Sequence, residues 1–281
     1  MAGALTTIYS FDGTHGPDPS RLTLGSDGNF YGTAENGKTR NVYGRIFRIT
    51  PGGEFATLYN FTDITQVAVN GLTLGNDGNF YGVIPYGGTN NSGSLFKITP
   101  GGDFSIFYAF TGPDGATPYT PPIVGNDGNF YGVTYHGGSG WGTIYTITPG
   151  GTLTTLHSFD DTDGGDPYFL AQHTDGAFYG TTSVGGLYGG DSGTIYSLNT
   201  GLNPFVSLLP NFGKPGNTVE FLGQGFTGTT GVSFNGISAS SFTVVFDTYL
   251  TAVVPSGATT GPVTVTTPGG TLTSNVNFNV R

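Results

Sequence analysis

The chain contains no cysteine and very few charged residues. Its 281 residues include one Met and one Trp, and only 9% are Asp, Glu, Lys or Arg. The absence of cysteine excludes disulfides and thiolate metal sites, although it assigns no compartment by itself. No apolar run approaches the roughly 18 residues that span a bilayer, and Met1-Ala2-Gly3 leads into no charged and then apolar segment. We therefore expect no membrane insertion and no signal peptide in this chain.

Basic residues are scarce as well. Eight Lys and Arg face 18 Asp and Glu, which gives a formal net charge of -10. Nucleic acids and anionic membranes recruit clustered Lys and Arg, so we expect no nucleic-acid partner. The chain is instead rich in glycine, with 51 residues, and in aromatics, at 14%. This composition favours a folded, turn-rich, all-β protein over helix or disorder.

One short stretch recurs along the chain. Ser-Asp-Gly-Asn-Phe-Tyr-Gly at residues 26–32 returns at 76–82 and 126–132 with Asn for Ser, and in altered form at 174–180, so that its aspartates are 50, 50 and 48 residues apart. A fixed period of this length indicates a solenoid, a propeller or an array of beads. Asp-Gly suits a tight hairpin turn, and four strand candidates fall in each repeat. The pattern predicts the four-stranded blades of a β-propeller over residues 1–203.

The phase of the repeat predicts how the propeller closes. The array opens with the equivalent of a fourth strand, Thr6–Phe11, and ends with a third, Thr194–Leu198. We expect the N-terminal strand to complete the last blade and to close a four-bladed ring without a free edge. The alternative is an open array that closes by pairing with a second chain.

The third repeat identifies a resemblance. Residues 110–151 contain Phe-Thr-Gly, Asp-Gly-Ala-Thr-Pro-Tyr, Gly-Asn-Asp-Gly-Asn-Phe-Tyr-Gly and Ile-Tyr-Thr-Ile-Thr-Pro-Gly-Gly. This pattern resembles the GloVer tandem repeat of bacteria and extends over about residues 5–203. The resemblance implies a secreted or surface-anchored bacterial protein, hence an extracellular or cell-surface location. It implies no particular activity.

The period vanishes at Pro204, and short Thr- and Val-rich strands follow. They predict a β-sandwich over residues 204–281. Gly223-x-Gly225-Phe226, Val232-x-Phe234-x-Gly236 and Gly261-Pro262-Val263 make this segment similar to an IPT/TIG immunoglobulin-like domain. The resemblance implies a spacer or adhesive module, or an accessory domain of a carbohydrate-active enzyme.

The long connections of the repeat are the candidate binding surface. Tight turns follow the first and third strands of each repeat, so the long, variable loops share the opposite face. Aromatic rings among Asn, Asp and Gly in these loops suit sugar binding, whereas the alternative is packing within the blades. The candidate ligand-binding residues are Tyr86, Tyr119, Tyr135, His136, Trp141 and Tyr188.

An acidic run gives one candidate metal site. Asp160, Asp161, Asp163 and Asp166 alternate with Thr and Gly, and oxygen-rich loops with glycine bends hold Ca²⁺. The alternative is a solvated turn. We expect no other cofactor and no catalytic residues, because no nucleophile elbow, zinc-protease helix or phosphate loop is present.

These observations predict a non-enzymatic extracellular or cell-surface protein that binds a glycan or a surface protein, or serves as a scaffold. Two other functions stay open. One is a structural subunit that self-associates into a filament or layer, and the other is a carbohydrate-active enzyme.

Overall fold

The computed structural model describes residues 3–12, 18–35, 42–63, 69–187 and 192–281. Strands dominate these ranges, accompanied by one short 3₁₀ helix at Thr89–Asn91. Nowhere in them does a helix have the length and apolar character needed to cross a membrane. The chain forms two compact units, one of residues 1–124, 128–170 and 180–196, the other of residues 125–127, 171–179 and 197–281. The predicted division at residues 203 and 204 stays a prediction.

The first unit repeats one antiparallel sheet, whose four strands pair in chain order. The first sheet contains β1 (Thr23–Leu24), β2 (Phe30–Glu35), β3 (Gly44–Ile49) and β4 (Phe55–Phe61). The second contains β5 (Val69–Leu74), β6 (Phe80–Ile84), β7 (Ser94–Ile98) and β8 (Phe104–Ala109). The third contains β9 (Ile123–Val124), β10 (Phe130–Thr134), β11 (Thr143–Ile147) and β12 (Leu153–Ser158). A fourth sheet has three strands in the described ranges, β13 (Gly165–Gln172), β14 (Phe178–Val184) and β15 (Ile195–Leu198). The predicted all-β class and the repeated four-stranded sheet are confirmed.

The recurring Asp-Gly-Asn-Phe-Tyr motif is structural. The Asp27 carboxylate accepts hydrogen bonds from the Asn29 backbone at 3.1 Å, the Asn29 amide at 2.7 Å and the hydroxyl of Tyr31 at 2.8 Å. Asp77 accepts the corresponding bonds from Asn79 and Tyr81 in the second repeat. Each aspartate thereby stabilises the turn between the first two strands and satisfies the hydroxyl of a tyrosine whose ring is buried between sheets.

The glycine after that tyrosine allows a close approach within the sheet. A Cβ atom on Gly82 would lie 2.3 Å from Cζ of Phe96, a buried ring of the adjacent strand. The same crowding by the facing ring occurs in the other repeats, at Gly32, Gly132 and Gly180.

Aromatic and aliphatic side chains fill the space between successive sheets. The Tyr31 and Phe80 rings stack across the first and second sheets with centroids 4.0 Å apart. The Tyr81 and Phe130 rings meet across the second and third sheets, with centroids 4.2 Å apart and planes tilted by 44°. The second sheet therefore buries both of its faces, as a blade in a stack does.

The N-terminal segment differs from the prediction. Among the described residues, Thr6–Phe11 pairs with no other strand. It nevertheless packs on the first sheet as β4 packs on the second. The Tyr9 and Phe55 rings stack at 4.7 Å and 11°, matching Tyr59 and Phe104 at 4.0 Å and 15°. The segment thus lies where an outer strand of a preceding sheet would lie.

The fourth sheet differs from the other three in its exposure. Ile195 is 84% exposed, whereas the equivalent Ile46, Leu95 and Ile144 are at most 1% exposed. Tyr179 is likewise 40% exposed. Closure of the ring by the N-terminal strand is not observed in the described ranges, and it stays a prediction.

The second unit contains two further four-stranded sheets. One has the order β16 (Ser207–Leu209), β18 (Thr218–Leu222), β22 (Tyr249–Val253) and β21 (Ser241–Phe246). The other has the order β20 (Ile237–Ser238), β19 (Gly231–Phe234), β23 (Val263–Thr267) and β24 (Gly270–Thr273). A short parallel pair joins β17 (Phe212–Gly213) to β25 (Asn279–Val280). The two large sheets share one core, with Phe221 and Leu250 from the first and Phe234 and Val265 from the second.

Candidate functional site

The long loops of the second and third repeats lie together. Thr117 donates its backbone N–H to the Ser92 carbonyl at 2.9 Å, and Tyr135 donates to the Thr117 carbonyl at 3.1 Å. Ala116 and His136 exchange two backbone hydrogen bonds. Three connections, residues 85–93, 110–122 and 135–142, are therefore bonded into one surface.

Three repeats share a left-handed residue directly before a proline. Asp18, Thr117 and Asp166 have φ angles of 57°, 57° and 55°, and each precedes a proline. Such left-handed residues cost about 1 to 3 kcal/mol each, and a β-branched threonine is an outlier there. Since Tyr119 and Tyr168 come directly after the prolines in the third and fourth repeats, the strained turns set the direction in which these two side chains leave the backbone.

Four tyrosines meet at the surface, and we call them the tyrosine cluster: Tyr86, Tyr119, Tyr135 and Tyr168. Tyr119 is central, with its ring centroid 6.2 Å from Tyr86, 5.4 Å from Tyr135 and 6.2 Å from Tyr168. Tyr86 is 45% exposed and Tyr168 is 39% exposed. The cluster thus presents aromatic faces to solvent.

Polar groups accompany the rings. The Asn70 amide donates to the Tyr119 carbonyl at 2.6 Å and to the Tyr168 hydroxyl at 3.4 Å. The hydroxyls of Tyr86 and Tyr119 share a short hydrogen bond. Burial, together with the Tyr86 hydroxyl, raises the pKa of Tyr119 to about 12. The Tyr119 hydroxyl is therefore neutral at physiological pH.

His136 and Trp141 lie beside the cluster rather than in its centre. The His136 ring is 4.7 Å from the Tyr135 ring, and its Nδ1 lies 3.5 Å from Oδ1 of Asp166. Asp166 in turn donates its backbone N–H to the Trp141 carbonyl at 2.9 Å. Trp141 packs on Gly165, where an added Cβ would lie 2.7 Å from the indole ring, and it keeps 38% of its surface exposed. Tyr188, the sixth predicted residue, lies outside the described residues.

A cavity of about 330 Å³ adjoins the cluster, and its lining includes Tyr168 of the cluster and the neighbouring Asn70. It is bounded by the first strands of the repeats and the residues before them, together with β10. Its lining residues are Ser20, Arg21, Asn70, Thr120, Pro121, Ile123, Tyr131, Gly132, Val133, Tyr168, Phe169 and Leu170. Asn70 and Arg21 were not predicted from the sequence, because their loops depart from the repeat pattern or lack aromatic residues.

The repeats that build this surface also show which protein family the chain belongs to. The Gloeobacter/Verrucomicrobia repeat matches residues 1–139 and 122–220. The chain belongs to this repeat family. The predicted GloVer resemblance is thereby confirmed, and the family match ends at residue 220, within the segment that resembles IPT/TIG. No curated protein matches the chain by sequence.

Solved structures show only distant similarity to this Gloeobacter/Verrucomicrobia repeat protein. A calcium-binding regucalcin from Agrobacterium tumefaciens is 14% identical, with a TM-score of 0.42, over 60% of this chain and 54% of that protein. A putative gluconolactonase is 17% identical, with a TM-score of 0.40, over 85% and 74%. A putative TolB from Agrobacterium tumefaciens is 10% identical, with a TM-score of 0.40, over 72% and 59%. The chain thus spans about half the length of the regucalcin, and TM-scores below 0.5 assign it no activity.

The predicted calcium ligands of the repeat protein do not converge. Oδ1 of Asp160 accepts hydrogen bonds from the backbone N–H groups of Thr162 and Asp163, and Oδ2 of Asp163 lies 2.7 Å from Nε2 of His157. Asp166 faces His136 instead. Across the described ranges, no group of three or more His, Asp or Glu side chains is arranged to hold a metal ion. The acidic run forms a turn. Ca²⁺ binding there stays a prediction, and the described residues show no set of side chains that would hold the ion.

Proposed function

We propose that this protein is a non-enzymatic binding and scaffold protein of the bacterial cell surface, and that it binds a glycan at the tyrosine cluster. The observation that carries the proposal is the meeting of the Tyr86, Tyr135 and Tyr168 rings around the Tyr119 ring. The Asn70 amide donates to the Tyr119 carbonyl and to the Tyr168 hydroxyl at the same place. Tyr86 lies in the second repeat, Tyr119 and Tyr135 in the third, and Tyr168 in β13 of the fourth. The cluster is therefore built by the fold rather than by one segment.

The chemistry of the cluster suits a sugar. An exposed aromatic face packs against the C–H face of a pyranose ring, while hydroxyl and amide groups hydrogen-bond its hydroxyls. Trp141 and His136 extend the same surface beside Asp166. A neutral or mildly polar glycan fits this surface better than a highly charged polymer, because the net charge of the chain is -10.

A glycan array followed by titration tests the proposal. Replacing Tyr168 or Tyr86 by Ala removes an exposed ring, and each change should weaken binding of the best glycan by about 1 to 3 kcal/mol, as loss of an aromatic anchor does. Trp141→Ala should weaken binding less, because the indole lies beside the cluster. Asn29→Ala is the matched control, since Asn29 lies in the turn after β1 and should leave binding unchanged.

Three results would contradict the proposal. They are the absence of any glycan signal, tyrosine variants that bind as tightly as the parent, and a bound glycan that is cleaved in the product analysis. The last result would establish a carbohydrate-active enzyme instead.

The finer architecture belongs to the same proposal. We infer that the four sheets are the blades of one propeller, in which Thr6–Phe11 pairs with β15. The packing of Tyr9 on Phe55, which repeats the packing of Tyr59 on Phe104, supports this arrangement. We also infer that residues 204–281 form an IPT/TIG immunoglobulin-like module that spaces or attaches the propeller, supported by two sheets around one core.

A further inference from the structure

The cavity beside the tyrosine cluster combines apolar walls with one cationic side chain. Pro121, Ile123, Val133 and Leu170 supply aliphatic surface, and Phe169 adds an aromatic ring. Its volume of about 330 Å³ lies at the lower end of the range of small-molecule sites, about 300 to 1,000 Å³. A ligand enclosed here is therefore small and largely apolar.

Arg21 is the charged residue of the lining. Its guanidinium forms no ion pair with any side chain in the ranges that the structure describes. Its side chain lies across Gly71, where an added Cβ would come within 2.7 Å of Cγ and 3.3 Å of Nε. Gly71 has a φ of 86°. Because Gly71 has no side chain, it leaves free the space beside the cavity that the Arg21 side chain occupies.

We propose that this cavity binds a small monocarboxylate with a cyclic or planar apolar body. The carboxylate would pair with Arg21, whose fork of donors matches two carboxylate oxygens. Asn70, Thr120 and Ser20 supply further polar groups, and the apolar body would lie against Ile123, Val133 and Leu170. A phosphate fits less well, because its second charge would meet no second cation in the lining.

This site goes beyond the glycan proposal and does not depend on it. The carboxylate is held by Arg21 and the cavity wall, whereas the glycan lies on the exposed tyrosine rings. Loss of glycan binding with retained carboxylate binding, or the reverse, would separate the two.

The test uses benzoate and its neutral analogue benzamide, titrated into the full chain by calorimetry and ligand-observed NMR. Benzoate should bind one to one, and benzamide should bind about tenfold more weakly or worse, since it lacks the charge-assisted bond. Acetate, which keeps the charge but lacks the ring, should also bind more weakly than benzoate.

Variants locate the site. Arg21→Gln should lower the benzoate affinity by about tenfold or more and should abolish the preference over benzamide. Lys214→Gln removes an exposed cation from the second unit and should change neither. Thermal melts of both variants check that they are folded. The proposal is overturned if millimolar benzoate does not bind, if benzamide binds equally well to the parent, or if folded Arg21→Gln retains the parent affinity and selectivity.

Discussion

Asp77 shows what the repeated aspartate contributes to each turn. Burial alone would raise its pKa, but hydrogen bonds from Lys97, Asn79 and Tyr81 outweigh burial and lower the pKa to about 2. The unfolded value is about 3.9. A carboxyl with a depressed pKa stabilises the folded state above the unfolded pKa, and this stabilisation is lost as the pH falls through the folded pKa. The contribution of Asp77 should therefore disappear between about pH 4 and pH 2.

The substitution Asp77→Asn tests this dependence. At pH 7 the variant should be less stable than the parent, because Asn lacks the negative charge that pairs with the Lys97 ammonium at 2.8 Å. The difference in unfolding free energy should shrink as the pH is lowered from about 4 to about 2. Urea unfolding across this range measures it. A difference that stays constant with pH would show that the ionised carboxylate is not what stabilises the turn.

Tyr145 carries a hydroxyl that the fold does not satisfy. The side chain is fully buried, its hydroxyl has no hydrogen-bond partner in the described part of the chain, and burial raises its pKa. The first and second repeats have Phe47 and Phe96 at this position. Tyr145→Phe should therefore raise the unfolding free energy by about 1 kcal/mol or more, because an unpaired buried hydroxyl costs about 1 to 3 kcal/mol.

Tyr196→Phe is the matched control for that prediction. Its hydroxyl donates to the Phe169 carbonyl at 3.3 Å, so its removal should be neutral or destabilising. Equal effects of the two substitutions in urea unfolding would contradict the assignment of an unsatisfied hydroxyl to Tyr145.

At the scale of the element, the sheets depend on the glycine in β6. Gly82→Ala would place a methyl group 2.3 Å from the buried Phe96 ring, which has no free space to enter. Such overpacking costs about 1 to 3 kcal/mol. Gly52→Ala provides the control, because its Cβ would meet only Oγ1 of Thr50, at 3.7 Å. Chemical unfolding measures the stability of both variants. A Gly82→Ala variant as stable as the Gly52→Ala variant would show that β6 and β7 can move apart to accommodate the methyl group.

Local signals explain why some elements were predictable and others were not. Short strands are predicted after Pro204, and β18 and β19 lie there, because alternation and flanking turn residues are encoded within each segment. Thr6–Phe11 has the same local pattern but no strand partner in the described residues, and pairing depends on distant parts of the chain. Tyr86, Tyr119 and Tyr135, which the loop phase assigns to one face, lie close together in the structure, and their binding of a ligand stays a prediction. The sequence does not predict Asn70 and Arg21 as site residues. Their positions depend on backbone conformation, such as a φ of 58° at Asn70, that no sequence motif indicates.

At the scale of the whole molecule, the fourth sheet differs from the other three in its outer strand. The proposed closure would remove this difference. β3, β7 and β11 each pair with an outer strand, whereas β15 has no outer partner among the described residues and Ile195 is 84% exposed. The N-terminal segment already packs on the first sheet as an outer strand would. Pairing of this segment with β15 would supply the missing strand and remove an unprotected edge, which natural sheets avoid.

The substitution Ile195→Asp separates a closed ring from an exposed fourth sheet. If the fourth sheet is covered by the N-terminal segment and the first sheet, the aspartate is buried and the protein should lose several kcal/mol, about 3 or more, of unfolding free energy. If Ile195 stays exposed, the change should be within about 0.5 kcal/mol.

Leu95→Asp, at a side chain that is 1% exposed, calibrates the buried case, and Ile237→Asp, at 43%, calibrates the exposed one. Light scattering on the same samples distinguishes closure within one chain from pairing between two, because only the latter depends on concentration. We expect Ile195→Asp to resemble Leu95→Asp in a monomeric parent, and closure by the N-terminal segment is wrong if it resembles Ile237→Asp.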